Sequence, residues 1–214
     1  MTHGLRLERL SKTFANGTQA LTELSADLAP GAFVSLLGPS GCGKSTVLRL
    51  IAGLDEPTGG RVCWHNGRGR LAFVFQEPTL MDWLTATRNV ALPLELSGVQ
   101  RRAAEAEARR LLAQVDLAEF AQAMPRELSG GMRMRVSIAR ALVARPAVLL
   151  MDEPFAALDE FTRNRLNDDL LSLWRERHFS AVFVTHSVFE AVYLSQRILI
   201  LSGRPGRLVA DIPN

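Results

Sequence analysis

Cysteine is scarce in this sequence: Cys42 and Cys63 are the only two among 214 residues. Cys42 lies inside a glycine-rich stretch and Cys63 in a strand-like one, so they form neither a disulfide framework nor the spacing of a metal site. This excludes the class of small secreted proteins that disulfides hold together. A reducing cytoplasm is the compartment that fits.

Long unbroken hydrophobic runs are also missing. The longest candidate covers residues 181–201, and a histidine, a glutamate and an arginine interrupt it. The first ten residues carry charges where a secretory signal would need an apolar stretch. We expect no segment of this chain to cross a bilayer by itself, so any role at a membrane requires a partner.

Strong charge of one sign is the third feature that the sequence lacks. The formal net charge is +3, and the arginines are scattered along the chain instead of forming one basic tract. Nucleic acid is therefore not an expected partner. With 47% hydrophobic residues and neither a repeat nor a low-complexity segment, the chain is expected to form one globular domain.

Short apolar runs separated by helical stretches set the expected fold class. This alternation predicts an α/β fold with a mainly parallel sheet and helices on its faces. The opening segment, residues 5–28, instead predicts antiparallel strands with a turn at Asn16-Gly17. Residues 101–115 have a strong helix composition. The predicted buried strands are Phe33 to Leu37, Phe73 to Phe75, Val148 to Met151 and Ala181 to Val184.

A glycine-rich segment follows the first of these buried strands and precedes a helical run at residues 47–52. In this context it predicts a phosphate-binding loop, because glycines let successive N–H groups point at phosphate oxygens and the next helix adds its positive end. Lys44 then reaches the β- and γ-phosphates of a nucleotide, and the Ser45 hydroxyl is available to Mg²⁺. The alternative is a glycine-rich turn that matches by chance. The segment consists of Gly38, Pro39, Ser40, Gly41, Cys42, Gly43, Lys44, Ser45 and Thr46.

Two adjacent carboxylates, Asp152 and Glu153, end a second apolar strand. Neighbouring side chains on a strand point in opposite directions, so one carboxylate is available to a metal ion and the other to a water molecule. We assign Asp152 to Mg²⁺ and Glu153 to the role of general base. Ordinary solvated acids at a strand end are the alternative.

A third motif, Leu128 to Met132, stands directly ahead of another helical stretch. Ser129 is predicted to cap this helix, while Gly130 and Gly131 leave its first N–H groups accessible. The chain would thus carry a second anion-binding helix start in addition to the first loop.

These motifs, in this order, resemble the ATP-binding cassette family over essentially the whole chain. The family signature LSGGQ reads LSGGM here. The resemblance implies a P-loop NTPase core with an N-terminal antiparallel β-subdomain (residues 1–85 with 146–214) and a helical signature subdomain (residues 86–145). It also implies ATP and Mg²⁺ as cofactors, and two copies paired head to tail so that each ATP lies between the P-loop of one copy and the signature of the other.

The resemblance implies roles for four further residues. Phe14 would stack on adenine, although an ordinary core phenylalanine is the alternative. Gln76 would sense both the metal and the membrane subunit, and otherwise it is a polar loop residue. His186 would contact the γ-phosphate, and otherwise it is a core histidine. Asp159 would act across the dimer interface, and otherwise it is a surface acid.

A membrane subunit is the other implied partner. In the family the segment from Gln76 to Leu92 receives a cytoplasmic helix of the permease, although its apolar residues also fit burial within the domain. This implies a peripheral position on the cytoplasmic face of the inner membrane.

On the helix after the signature, the arginines are interpreted as a solvated face, the alternative being an extension of the positive field toward nucleotide. They are Arg133, Arg135 and Arg140.

Several strings, among them Trp83-Leu84-Thr85 and Arg204 to Arg207, resemble the importer branch for nitrate, sulfonates and taurine, which works with a solute-binding protein. Met134 and the end of the chain at Asn214 depart from that branch. A cassette of an exporter or of a lipid, lipoprotein or division machine is the alternative. A soluble cassette of DNA repair or translation, and a nucleotide-binding regulator without turnover, fit less well.

Overall fold

The computed structural model describes residues 3–214, which form nine strands and six α-helices. Contacts divide the described residues into two units: residues 3–73, 147–153 and 174–214 form the first, and residues 74–146 and 154–173 the second. The strands are β1 Leu5–Thr13, β2 Gln19–Leu28, β3 Phe33–Leu37, β4 Gly59–Trp64, β5 Leu71–Val74, β6 Val148–Asp152, β7 Ser180–Thr185, β8 Arg197–Leu201 and β9 Leu208–Pro213. The helices are α1 Lys44–Ala52, α2 Ala86–Leu96, α3 Arg101–Gln114, α4 Gly130–Leu142, α5 Glu160–Arg177 and α6 Val188–Leu194.

The first unit is built on two sheets. One has three antiparallel strands in the order β2-β1-β4, and the other has six strands in the order β5-β6-β7-β3-β8-β9. Within the larger sheet β6, β7, β3 and β8 run parallel, whereas β9 is antiparallel to β8. The α/β fold with an antiparallel N-terminal sheet is therefore confirmed. The β1–β2 pair is the one that the turn at Asn16-Gly17 predicted.

Apolar side chains explain why the central strands form a buried parallel sheet. Every residue of β7 is buried, and only the last residue of β3 and of β6 is partly exposed. Strands covered on both faces by other elements have continuous apolar runs of this kind. The predicted strand at residues 73–75 is displaced, since β5 ends at Val74 and Phe75 is 40% exposed.

The parallel strands determine where functional residues meet. The carboxyl ends of β3, β6 and β7 lie at the same edge of the sheet, because these three strands are neighbours in register. The glycine-rich loop follows β3, Glu153 follows β6 and His186 follows β7. Loops at this edge of an open parallel sheet form the usual ligand crevice of the fold class.

The second unit contains helices α2, α3, α4 and most of α5. On α3 the buried residues are Ala104, Ala108, Leu111 and Leu112, a spacing that places them on one face of a helix. Its exposed face carries ion pairs such as Arg101 with Glu105, at 2.9 Å. Across residues 3–214, none of the helices is both long enough and apolar enough to cross a membrane.

Candidate functional site

The glycine-rich loop joins β3 to α1 in the conformation that the sequence predicted. Gly43, at the start of α1, has φ of 100°, and a Cβ there would lie 2.8 Å from the carbonyl oxygen of Ala20. Only glycine avoids both the unfavourable backbone angle and this collision. The first N–H groups of α1 are therefore accessible at the loop, since no side chain caps them.

Lys44, the first residue of α1, is 4% exposed, and its Nζ stays close to the loop. Nζ donates to the carbonyl oxygens of Gly38 at 2.8 Å and Pro39 at 3.1 Å. It also lies 3.5 Å from Oε1 of Glu153. The structure thus brings together the loop lysine and the proposed general base, which are more than a hundred residues apart in the sequence.

Glu153 is held from three directions. Its backbone N–H donates to the carbonyl oxygen of Val184 at 3.0 Å, and its φ of 44° is unusual for a residue with a side chain. Its second carboxylate oxygen, Oε2, lies 3.1 Å from Nδ1 of His186. A non-glycine residue in this region of backbone space is typical of functional sites, where the surrounding structure maintains it.

Ser45 and Asp152 meet beside this carboxylate. The Ser45 hydroxyl donates to Oδ1 of Asp152 at 2.9 Å. Burial raises the pKa of Asp152, and the hydrogen bond from Ser45 opposes that shift. A hydroxyl and a partly buried carboxylate at contact distance form the oxygen donor set that a hard divalent cation prefers.

A cleft of about 200 Å³ opens over these residues. Phe14 lines it and is 40% exposed, which rules out an ordinary core phenylalanine. The His186 side chain is 55% exposed, so the alternative of a core histidine is also ruled out. Besides Phe14, the cleft is lined by Ala20, Ser40, Gly41, Gly43, Lys44, Ser45, Thr46, Glu153 and Arg204.

The signature segment lies in the second unit, where it starts α4. Ser129 is the N-cap, as predicted, and its Oγ accepts from the N–H of Met132 at 3.2 Å. A Cβ on Gly131 would lie 2.6 Å from Cγ2 of Thr162, whereas one on Gly130 would come no closer than 3.7 Å to Leu158. Gly131 is therefore required by packing, and Gly130 is not.

Two other predicted residues of this unit lie in loops. Gln76 is exposed after β5. The carboxylate of Asp159 accepts from the N–H of Thr162 at 3.0 Å in the first turn of α5. This hydrogen bond lowers the pKa of Asp159. A helix-capping contact therefore accounts for the position of Asp159 within one copy of the chain.

The interpretation of the α4 arginines as a solvated face is wrong for Arg135 and Arg140. Arg135 is 8% exposed, pairs with Asp169 at 2.9 Å and donates to the carbonyl oxygen of Val115. Arg140 donates to the carbonyl oxygens of Pro78 and Thr79, both at 2.8 Å. These arginines hold neighbouring elements of the helical unit together, because long side chains bury their stems while their heads bind carbonyl or carboxylate oxygens.

Sequence reasoning missed Asn89, which is fully buried on α2. Its Oδ1 accepts from the N–H of Met81 at 2.7 Å, and its Nδ2 donates to the carbonyl oxygens of Leu84 at 2.9 Å and Thr85 at 3.2 Å. One amide therefore fixes the loop that carries Trp83, a side chain that is 73% exposed. No signal in the sequence separates this asparagine from an exposed helical one.

Comparison with known proteins agrees with this geometry. The family model described as ABC transporter matches residues 21–156. An aliphatic sulfonates import ATP-binding protein, SsuB 1, of Xanthomonas axonopodis pv. citri is 47% identical over 212 residues, covering 96% of this chain and 83% of its own length. An uncharacterized ABC transporter ATP-binding protein of Methanocaldococcus jannaschii is 46% identical over 213 residues, covering 95% and 79%.

Solved structures of ATP-binding cassettes also resemble this chain. The dimeric structure of an ATP-binding cassette in a post-hydrolysis state, bound to ADP and Pi, superposes with a TM-score of 0.84 at 33% identity, covering 98% of both chains. The dimeric structure of a bacterial ABC transporter cassette superposes with a TM-score of 0.86 at 34% identity, again covering 98% of both. The chain therefore belongs to the ATP-binding cassette family of ABC transporters, and it binds and hydrolyses ATP.

Proposed function

We propose that the chain is the motor subunit of an importer for a small solute such as nitrate, a sulfonate or taurine. The observation that carries this proposal is the 47% identity, over 96% of the chain, to a protein named for import of aliphatic sulfonates. Hydrolysis would drive a separate permease, and a solute-binding protein would deliver the transported compound. The motor would lie at the cytoplasmic face of the inner membrane.

The cleft of the first unit is the proposed nucleotide site. The N–H groups of the loop and Lys44 bind the β- and γ-phosphates, and Phe14 stacks on adenine. Lys44 moves from the carbonyl oxygens that it now contacts to phosphate oxygens, which are stronger acceptors for a cation. Glu153 orients the attacking water and accepts its proton, and His186 holds that carboxylate and contacts the γ-phosphate.

Mg²⁺ fits the residues present. Ser45 and Asp152 would hold it together with phosphate oxygens, and Gln76 is a predicted additional ligand. Desolvation of the Asp152 carboxylate is a cost that a bound divalent cation removes. The ion supplies charge neutralisation for the phosphates.

A second copy completes the site in this proposal. Ser129, Gly130 and Gly131 of one copy present the N-terminus of α4 to the nucleotide of the other, with Asp159 beside them. Both similar solved cassettes are dimers. Trp83 and the cleft of about 300 Å³ that it shares with Arg88 and Arg101 would receive the permease.

The direct test is transport by the reconstituted complex. The chain would be isolated with its permease, placed in proteoliposomes with the solute-binding protein, and supplied with radiolabelled taurine, an alkanesulfonate or nitrate. We expect ATP-dependent uptake of at least one of these compounds and none with the Glu153→Gln chain. Movement in the export direction, or permease-stimulated hydrolysis without uptake of any of the three, would contradict the proposal.

A further inference from the structure

The turn between β8 and β9 lies against the phosphate loop and is fixed by backbone hydrogen bonds. Ser202 closes it, because its N–H donates to the carbonyl oxygen of Arg207 at 2.9 Å and its Oγ accepts from the N–H of Arg207 at 3.0 Å. Gly206 ties it to β2, donating to Ala20 at 2.8 Å and accepting from Thr22 at 3.0 Å. A turn held at both points presents its side chains in a defined position.

Gly206 also brings this turn into contact with the loop itself. A Cβ at position 206 would lie 2.1 Å from the carbonyl oxygen of Cys42, a distance that backbone atoms cannot accommodate without moving. Glycine is therefore needed for the close approach of the two backbones. The position of the turn is coupled to the position of the loop.

Arg204 extends from this turn into the cleft. Its Nε donates to the carbonyl oxygen of Gly41 at 3.3 Å, and Nη2 lies 3.7 Å from the place where a Cβ of Gly41 would be. Of the described residues that line the cleft, two are cationic, Lys44 and Arg204. Arg204 is exposed, so an anion in the cleft can reach its guanidinium.

Both cations make contacts that a phosphate would improve. Lys44 donates to two carbonyl oxygens of the loop and lies 3.5 Å from the Glu153 carboxylate, and Arg204 donates to the neutral carbonyl oxygen of Gly41. Bonds in which both partners are ionised, such as those from Lys or Arg to a phosphate oxygen, are among the short and strong hydrogen bonds of proteins. The planar guanidinium can also donate two parallel bonds to one phosphate.

We propose that Arg204 is a nucleotide-binding residue that contacts the polyphosphate from the β8–β9 turn, on the part of the loop that contains Ser40 and Gly41. This inference rests on the proposed assignment of the cleft as the nucleotide site. It adds to that site a residue from outside the motifs that define it. The competing explanation is structural: Arg204 only anchors the turn to the Gly41 carbonyl.

Three substitutions of the full chain separate these explanations: Arg204→Ala, Arg204→Gln and Arg204→Lys. Gln keeps an N–H donor for the Gly41 carbonyl and loses the charge, whereas Lys keeps the charge. Affinities would be measured with the fluorescent trinitrophenyl derivatives of ATP, ADP and AMP, together with KM and kcat for ATP. Arg207→Ala is the matched control, since Arg207 is exposed in the same turn and lies outside the cleft lining.

We expect Arg204→Ala and Arg204→Gln to lower the affinity for the ATP derivative by about tenfold and the affinity for the AMP derivative by less than about twofold. In both variants KM for ATP should rise by a larger factor than kcat falls. Arg204→Lys should keep most of the affinity of the unmodified chain, and Arg207→Ala should leave the affinities, KM and kcat unchanged. If Gln binds ATP as the unmodified chain does while Ala does not, the anchor explanation holds and the proposal is overturned. If every Arg204 variant binds normally while Lys44→Ala does not, the proposal fails and the site assignment stands. Normal binding by Lys44→Ala would instead refute the site assignment.

Discussion

Oε2 of Glu153 lies 3.1 Å from Nδ1 of His186, at the carboxyl ends of two neighbouring parallel strands. The other oxygen, Oε1, lies 3.5 Å from the ammonium group of Lys44. The carboxylate is therefore oriented by a group from each of two different elements. A general base needs this orientation, because proton transfer requires the acceptor to lie within hydrogen-bond reach of the water.

Glu153→Gln removes the basic oxygen and keeps the size of the side chain. We expect kcat for ATP hydrolysis to fall by about 10²- to 10⁴-fold, while ATP still binds and still draws two copies together. Phosphate release would measure the first effect, and size-exclusion chromatography with and without ATP the second. Glu119→Gln, at an exposed position of the second unit, is the control. Hydrolysis at the normal rate by Glu153→Gln would refute the assignment of the general base.

Local signals explain why the sequence predicted this part of the site. A buried strand, a glycine-rich loop and a helix start are consecutive, so Lys44 and Ser45 are positioned by neighbours in the chain. Asp152 ends one strand and His186 follows another, and the apolar composition of both strands predicts a parallel sheet. Once these strands are parallel, their carboxyl ends must meet at one edge.

Other features depend on contacts between distant segments, and the sequence does not specify them. Arg204 bonds to Gly41 across 163 positions of the chain. The sequence predicts a solvent-exposed Arg135, because arginine usually occupies the polar face of a helix, but α4 is buried from Met134 to Ala139 and offers no such face there. Its charge is matched by Asp169, on α5, which is partly buried.

Asp152→Asn is expected to stabilise the ligand-free chain while abolishing hydrolysis. Burial raises the pKa of Asp152, so the folded state binds its proton more tightly than the unfolded state does. The free energy of unfolding therefore falls as the pH rises from the pKa of aspartate in the unfolded chain to the raised pKa of Asp152 in the folded chain. Asparagine has no proton to lose, so the Asp152→Asn chain does not lose this stability. At pH 7 we expect Tm to rise by about 2–4 °C, which corresponds to ~1 kcal/mol in a chain of this length.

Thermal unfolding between pH 4 and pH 7 would check this prediction. The difference in Tm between Asp152→Asn and the unmodified chain should shrink as the pH is lowered, because the aspartate becomes protonated. Asp82→Asn, at an exposed loop position, should show no such trend. A lower Tm for Asp152→Asn at pH 7 would mean that the Ser45 hydrogen bond outweighs desolvation.

Gly131→Ala should destabilise the second unit through one steric contact, with Thr162. The added Cβ would lie 2.6 Å from Cγ2 of Thr162, and overpacking of this kind outweighs the better helix propensity of alanine. We expect Tm to fall by about 2–4 °C. Gly130→Ala, whose Cβ has ordinary contacts, should leave Tm unchanged.

A double substitution identifies the cause. Thr162→Ser removes Cγ2, so Gly131→Ala combined with Thr162→Ser should recover most of the lost stability. Additive effects of the two changes would show that this contact is not responsible. ATP hydrolysis by Gly130→Ala then reports on the proposed approach of the signature to nucleotide without a change in folding.

Asn89→Ala tests the loop that carries Trp83. The substitution leaves the N–H of Met81 and the carbonyl oxygens of Leu84 and Thr85 without their shared partner, at a cost of ~1–3 kcal/mol. Hydrogen exchange should accelerate at the amides of residues 81–85. Hydrolysis by the isolated chain should persist, because the cleft that we propose as the nucleotide site is lined by residues of the first unit.

The same variant separates motor activity from coupling. If Trp83 and its loop receive the permease, Asn89→Ala should lose the stimulation of hydrolysis that the permease produces, while Asn164→Ala, at an exposed position of α5, keeps it. Asn89→Asp is the sharper variant, because its carboxylate accepts from Met81 but faces the carbonyl oxygens of Leu84 and Thr85 without a donor. It should therefore exchange faster at residues 81–85 than the Ala variant does. Full stimulation in both variants, together with faster exchange at residues 81–85, would move the permease contact away from this loop.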